Sequence, residues 1–210
     1  MQGLPWLLVA GRPTCKRTTR GRRPICDPPS GKKMNTSIII RPLAPTDSMD
    51  ELTQLLHRAY ARLGKMGLNY TAVNQTPDVT ASRIRDGQCF VADVGGKVVG
   101  TIVVRPPSPS LSEYFTRCDV ASVTQFGVEP TEQGTGVGRA LLAYCEVWAT
   151  AHGFSEVALD TAEEADHLIR FYAGVGYKVV SSVQWPGKTY RSLVLAKALS
   201  PDHSSLLGVE

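Results

Sequence analysis

No apolar run in this 210-residue chain reaches the roughly 18 residues that a membrane-spanning helix needs, so no membrane partner is expected. No C-x-x-C pair occurs, and no cysteine and histidine stand at zinc-ligand spacing, so no metal is expected. The five cysteines, Cys15, Cys26, Cys89, Cys118 and Cys145, are odd in number, which argues against a disulfide framework. Reduced thiols in a cytoplasmic protein are the simplest reading. No internal repeat is present, and no dense acidic patch stands ready for a polycation. Nor is the body of the chain basic. The net charge is +4, but residues 1–33 hold eight basic residues and one acid, leaving fifteen basic against eighteen acidic residues, net −3, in the remainder. A mildly acidic body gives no support to nucleic-acid binding.

With 42% hydrophobic and 20% charged residues, the chain has ordinary globular composition, and its length suits one domain with an attached tail. Residues 1–33 carry five prolines, clustered Arg and Thr, and no apolar periodicity. Such a stretch buries too little surface to offset its ordering entropy. A basic arm for nucleic acid or membrane, a targeting peptide, and a disordered or mis-assigned extension compete here; the last is favoured, with Met34 as the start of the folded protein. Residues 34–200 are expected to fold, and 201–210 to form a flexible tail.

Ser37–Arg41 is β-branched and ends at Pro42, as a first strand would. Ser48 and Glu51 make a capping-box pattern ahead of Met49, Leu52, Leu55, Leu56, Ala59 and Leu63 at helical spacing. Residues 65–79 read as a loop or broken helix. Cys89–Val94 and Lys97–Val104 flank Gly95-Gly96, a hairpin signal. Val120–Val128 is a strand candidate, and Val137–Ala151 has a helical pattern ending before Gly153. Glu156–Asp160 reads as a strand, Ala162–Ala173 as a helix, and Tyr177–Val183 and Tyr190–Ala196 as closing strands. The order β-α-(α)-β-β-β-α-β-α-β-β predicts a mixed α/β domain.

The most informative segment is Gln133-Gly134-Thr135-Gly136-Val137-Gly138-Arg139, between a strand and an amphipathic helix. Glycines let the backbone approach a ligand closely, and the first helical N–H groups, with the helix dipole, favour phosphate. A dinucleotide fingerprint counted from Gly134 fails, because its last glycine would be Arg139. Gly187-Lys188-Thr189 resembles the end of a Walker A loop, but its first glycine would be Ser182 and no strand–loop–helix context surrounds it; it reads as a turn. The segment does match Q/R-x-x-G-x-G/A through Gln133, Gly136 and Gly138. With Gln125-Phe126-Gly127-Val128-Glu129-Pro130 ahead, Arg139-Ala140-Leu141-Leu142 behind, and Leu168-Ile169-Arg170-Phe171-Tyr172-Ala173-Gly174-Val175-Gly176-Tyr177 downstream, the chain resembles the Gcn5-related N-acetyltransferase (GNAT) superfamily from about Ser37 to Leu199.

That resemblance implies a mostly antiparallel, twisted sheet of six to seven strands, splayed between the fourth and fifth, with helices on both faces. It implies acetyl-CoA as co-substrate and direct transfer of acetyl to an amine. Backbone groups of Phe126 and Val128 would hold the pantetheine arm, and an N–H near Phe126 or Gly127 would polarise the thioester carbonyl. The N–H groups of Gln133, Gly134, Thr135, Gly136, Val137, Gly138 and Arg139 would hold the pyrophosphate. Tyr172 stands where many relatives place a tyrosine that protonates the leaving thiolate, and would touch the cofactor too. Tyr177 is expected to pack. Where relatives often carry an asparagine seven residues before that tyrosine, this chain has Ala165, and His167 is expected to be exposed.

The general base is open. The fourth strand carries Ser122, Thr124 and Gln125 but no acid; Glu129 lies beyond its end; Asp160, Glu113 and Asp119 are the remaining candidates. In this fold the acceptor pocket draws on three loop regions, which makes Tyr70, Tyr114, Gln125, Asp160 and Trp185 acceptor-side candidates. The expected function is N-acetylation of a small-molecule or amino-acid-like amine. A protein or peptide N-acetyltransferase, and a non-catalytic sensor of acyl-CoA or an amino acid, are the alternatives. A homodimer stays open.

Overall fold

The computed structural model describes residues 37–200; the extension expected over 1–33, Met34 and the tail expected over 201–210 lie outside the described residues. The elements run β1 (Ile38–Pro42), α1 (Met49–Lys65), α2 (Pro77–Arg85), β2 (Gln88–Val94), β3 (Lys97–Arg105), β4 (Val120–Val128), α3 (Val137–Ala151), β5 (Glu156–Ala162), α4 (Asp166–Ala173), β6 (Lys178–Val183) and β7 (Ser192–Ala198). The strands form one sheet in the order β1-β2-β3-β4-β5-β7-β6. Every neighbouring pair is antiparallel except β4 and β5.

The β4–β5 pair is short. Val120, Ala121 and Ser122 align with Glu156, Val157 and Ala158, and beyond these the strands part. The open side of β5 is stabilised from its other edge, where all of Glu156–Ala162 pairs with β7. That continuous ladder corrects two expected boundaries. β5 runs on past Asp160 to Ala162, and α4 starts at Asp166 instead of Ala162.

Glycines show which helix covers which face. A Cβ on Gly127 of β4 would meet Leu56 and Ala59 of α1, whereas the flanking Phe126 and Val128 reach toward Gly138 of α3. Alternate strand residues face opposite ways, so α1 and α3 sit on opposite faces of the sheet. The α3 face holds the main core, where Leu141, Leu142, Cys145 and Ala149 pack on Ile102, Val104, Val123, Val157 and Leu195. On the other face α1 buries Leu52, Leu55, Leu56 and Leu63. Its N-cap is Ser48, whose side chain accepts from the Glu51 N–H. The β2–β3 turn uses Gly95 and Gly96, both at positive φ.

α2 begins within the stretch 65–79 where a loop or broken helix was expected and runs on to Arg85. It starts at Pro77, with Thr76 capping the Val79 N–H, and its one buried residue is Thr80. A helix that buries a threonine instead of an apolar stripe leaves no hydrophobic period to read. It is held by polar contacts: the Thr53 hydroxyl of α1 donates to the Thr80 hydroxyl at 2.7 Å, and the Gln75 amide donates to the same oxygen at 2.6 Å.

Candidate active site

β4 is irregular where it leaves β5. Thr101 of β3 aligns with Gly127 and Val103 with Thr124, so Gln125 and Phe126 together oppose Ile102. This is a β-bulge, and Gln125 takes φ 50°, the one positive φ of a non-glycine among the described residues. The bulge re-aims the strand at the mouth of the splay. A cleft of about 610 Å³ opens there, between the end of β4, the loop into α3, and the ends of β5 and α1.

One wall is the glycine-rich segment. Gly134 and Gly136 take φ 84° and 104°. Gly136 is the N-cap of α3, and Ala140 makes the first intrahelical bond, to the Gly136 carbonyl at 3.0 Å. The N–H groups of Val137, Gly138 and Arg139 therefore precede the hydrogen-bonded ladder and stand at the positive end of the helix dipole. The Gln133 amide donates to the Val128 carbonyl at 3.1 Å, tying the loop to the end of β4. Gly138 packs close to the cleft's aromatics: a Cβ there would make ordinary contact, at 3.5 Å, with the rings of Phe126 and Phe171, both of which line the cleft. This wall offers backbone donors and one exposed cation, Arg139, which suits a pyrophosphate.

Gly136→Ala tests the wall. The added methyl would meet nothing within 4 Å, so the effect is conformational. A non-glycine residue in this left-handed conformation costs about 1–2 kcal/mol. Calorimetric titration is expected to show acetyl-CoA Kd raised about tenfold, and thermal unfolding a Tm lowered by roughly 2–8 °C.

The cleft brings together Phe126, Gly127, Val128, Gln133, Gly134, Thr135, Gly136, Gly138, Arg139, Tyr172, Tyr70 and Asp160. Four other candidates lie off it. Val137 is fully buried in the core. Gln125 is 3% exposed, and neither atom of its amide has a partner. Trp185 stacks near Phe115 and reaches the cleft indirectly, its indole N–H donating to Asp160 Oδ2 at 2.9 Å. Tyr114 does not wall the pocket: its hydroxyl donates to Glu156 at the opposite end of β5, and burial beside that carboxylate pushes its pKa up to about 12.

Among the base candidates, Glu129 is clamped by Arg58 at 2.8 Å, and Asp119 is paired with Arg117 at 2.7 Å near the start of β5. Neither they nor Glu113 line the cleft. His167, expected to be exposed, is half-buried and does line it; burial, with Arg62 and Arg170 nearby, lowers its pKa.

Several lining residues have no local sequence signature. The Tyr60 hydroxyl of α1 donates to the Phe126 carbonyl at 3.0 Å. Tyr60 packs edge-on to Tyr70 with ring centres 5.4 Å apart, and Tyr70 stacks on Tyr190 at 4.8 Å. The Tyr70 hydroxyl accepts from the Ala162 N–H at 2.6 Å and lies 2.9 Å from the Thr161 hydroxyl. The carbonyls of Phe126 and Val128 thus each already accept one side-chain donor, and each keeps a second lone pair. Tyr172, 7% exposed, lies among Phe126, Phe171 and Tyr177. Burial, above all, holds the pKa of its phenol well above the usual value.

Residues 50–177 match the model of the acetyltransferase (GNAT) family. The chain is 28% identical over 162 residues to S-(2-succino)cysteine N-acetyltransferase of Bacillus subtilis (strain 168), covering 76% of this chain and 96% of that one. The fold is similar to that of the ribosomal-protein-S18-alanine N-acetyltransferase from Escherichia coli, with TM-score 0.60 and 17% identity over 78% of this chain and 95% of that one. It is also similar to a GNAT family acetyltransferase from Elizabethkingia anophelis with acetyl-CoA bound, with TM-score 0.56 and 14% identity over 77% and 98%. The chain belongs to the acetyltransferase (GNAT) family and is an N-acetyltransferase. Among the described residues, no group of three or more His, Cys, Asp or Glu could hold a metal ion, and no helix is long and apolar enough to cross a membrane.

Proposed function

We propose that this enzyme moves an acetyl group directly from acetyl-CoA to the amine of a small, amino-acid-like acceptor. The observation that carries the reading is the convergence, in one cleft, of a phosphate-type helix start, a proton-bearing tyrosine and an unclamped carboxylate oxygen. The relative from Bacillus subtilis is named for acetylating a substituted cysteine, which supports an amino-acid acceptor.

Acetyl-CoA would supply an activated acyl group as a thioester. The N–H groups from Gly134 to Arg139 would bind its pyrophosphate, with Arg139 adding charge. The free backbone capacity of Phe126 and Val128 would align its amide-bearing arm, and an N–H near Phe126 or Gly127 would stabilise charge on the carbonyl oxygen. Asp160 would orient the acceptor's amine, which must be neutral to attack. In the transfer a C–N bond forms and the C–S bond breaks; the proton that the nitrogen loses passes to water, and the departing sulfur gains one from Tyr172, which water then reprotonates.

The test follows free-thiol release from acetyl-CoA by the full chain across amino acids, amines, aminoglycosides and short peptides. Turnover confined to small amino acids is the expected result. Turnover only with peptides would overturn the acceptor class. Tight acetyl-CoA binding with no turnover in any class would favour a sensor.

A further inference from the structure

Around Asp160, which lines the cleft, lies a group of charges whose signs do not balance. Arg83 of α2 donates from Nη2 to the Thr124 hydroxyl of β4 at 2.9 Å. Its Nε is buried and has no hydrogen-bond partner, and Arg83 makes no ion pair among the described residues. Asp160, Tyr60 and Tyr190 lie within electrostatic reach of it, as does Arg105, whose own Nε is likewise buried and unpartnered. Lys188, from the β6–β7 loop, faces the same two charges, Arg83 and Asp160. Its ammonium rests on a carbonyl and a hydroxyl, Asn69 O at 2.8 Å and Thr71 Oγ1 at 3.0 Å, not on a carboxylate. Arg83 and Lys188 therefore face one carboxylate, Asp160, which the Trp185 indole already holds, and Arg105 adds a third positive charge beside Arg83.

A guanidinium does not shed its proton, so a buried one without an anion bears its desolvation cost. Burial indeed lowers the pKa of both Arg83 and Lys188. The arrangement is stable at least cost when a carboxylate arrives, because a guanidinium edge and a carboxylate match as a fork of two hydrogen bonds. The pyrophosphate of acetyl-CoA is not that anion. Thr124 lies four residues before Val128, at most about 13 Å along the strand because the bulge at Gln125 shortens it, and the glycine-rich loop begins only after that. Gln125, next to Thr124, adds a buried amide with both polar atoms unpartnered, each of which carries a desolvation cost if left so.

Resting on the small-acceptor reading above, we propose that the acceptor carries a carboxylate a few bonds from its amine. The carboxylate seats against Arg83 with Lys188 beside it, and the amine turns toward Asp160. An internal lysine or a peptide N-terminus lacks such a neighbouring carboxylate. Arg83 is thus the residue that selects free amino acids over peptide-like amines.

The experiment compares, with the full chain, each of a panel of α-amino acids (dicarboxylic ones and S-substituted cysteines included) with its α-amide and its decarboxylated amine. In kcat/KM the free acid is expected to exceed both by at least about a hundredfold. Arg83→Gln is expected to bring the acid-to-amide ratio close to one, and Arg83→Lys to restore part of it. Acetyl-CoA Kd within about twofold of the wild type would show that the variants are folded. Calorimetry with N-acetyl amino acids and their amides reads the same subsite without turnover: wild type is expected to bind the acids at least about tenfold tighter, and Arg83→Gln to abolish the difference. Amides or peptides turned over as well as acids would overturn the proposal, as would an Arg83→Gln variant that weakens every acceptor equally. Wild type that binds neither acids nor acetylated acids in preference to amides would overturn it too, while its acetyl-CoA titration judged the cofactor site separately.

Discussion

Tyr172→Phe will lower kcat by about a hundredfold and leave acetyl-CoA Kd within about threefold of wild type. The substitution removes one oxygen from a ring whose surroundings stay the same. Tyr172 packs among Phe126, Phe171 and Tyr177, with ring centres 6.4, 5.3 and 6.0 Å away, and none of these contacts needs the hydroxyl. The hydroxyl makes no hydrogen bond among the described residues, and the residue lines the cleft. Burial holds the phenol protonated at neutral pH. On the proposed mechanism that proton meets the negative charge that develops on sulfur as the C–S bond breaks, which makes Tyr172 the acid and not the missing base. A fall in kcat and kcat/KM together, with binding intact, is the signature of a contact made only in the transition state. An unchanged kcat would make Tyr172 a packing residue and leave the proton to come from water.

Lys197→Met will destabilise the protein by about 3–5 kcal/mol, lowering Tm by roughly 6–20 °C for a chain of this size. Glu146 of α3 is 4% exposed, and its carboxylate meets the Lys197 ammonium of β7 at 2.6 Å. The pair joins the main helix of the core to the β5–β7–β6 side of the sheet. Removing the lysine strands a buried carboxylate, and that uncompensated charge, more than the lost attraction, sets the size of the effect. Glu146→Leu combined with Lys197→Met removes both charges and should recover most of the loss. Thermal unfolding of the three variants distinguishes the two costs: if the single and double variants melt alike, the pair is solvated and worth little. Acetyl-CoA binding by the double variant should be close to that of wild type, since neither residue lines the cleft.

The glycine-rich wall was largely legible in the sequence because its features are main-chain features. A glycine must be spelled out where φ is positive, as at Gly134 and Gly136, and a helix start is announced by the apolar period that follows. The side proposed for the acceptor was less so. Arg83 sits on a short helix that buries only Thr80, so neither the helix nor its arginine had a hydrophobic pattern to reveal it. Tyr60 lies within the periodic stretch of α1, and nothing local distinguishes a cleft-lining tyrosine there from a surface one. Tyr114 and Tyr70 had equal claims as loop aromatics. The register of β5 decides between them, sending one to Glu156 and the other to Thr161 and Ala162. The end of β5 was placed early at Asp160 because its last turns of alternation merge into Ala-rich sequence; only the full ladder with β7 extends it.

The splayed strands carry an evolutionary consequence. Backbone amides on β4 and at the start of α3 are present whatever side chains accompany them, so a cofactor recognised in this way survives wide substitution along both elements. The loops on the side proposed for the acceptor, where Asn69 is bound to Gly187 and Thr189, can be rebuilt without disturbing that frame. One lineage can then exchange acceptors freely while its acyl donor stays the same.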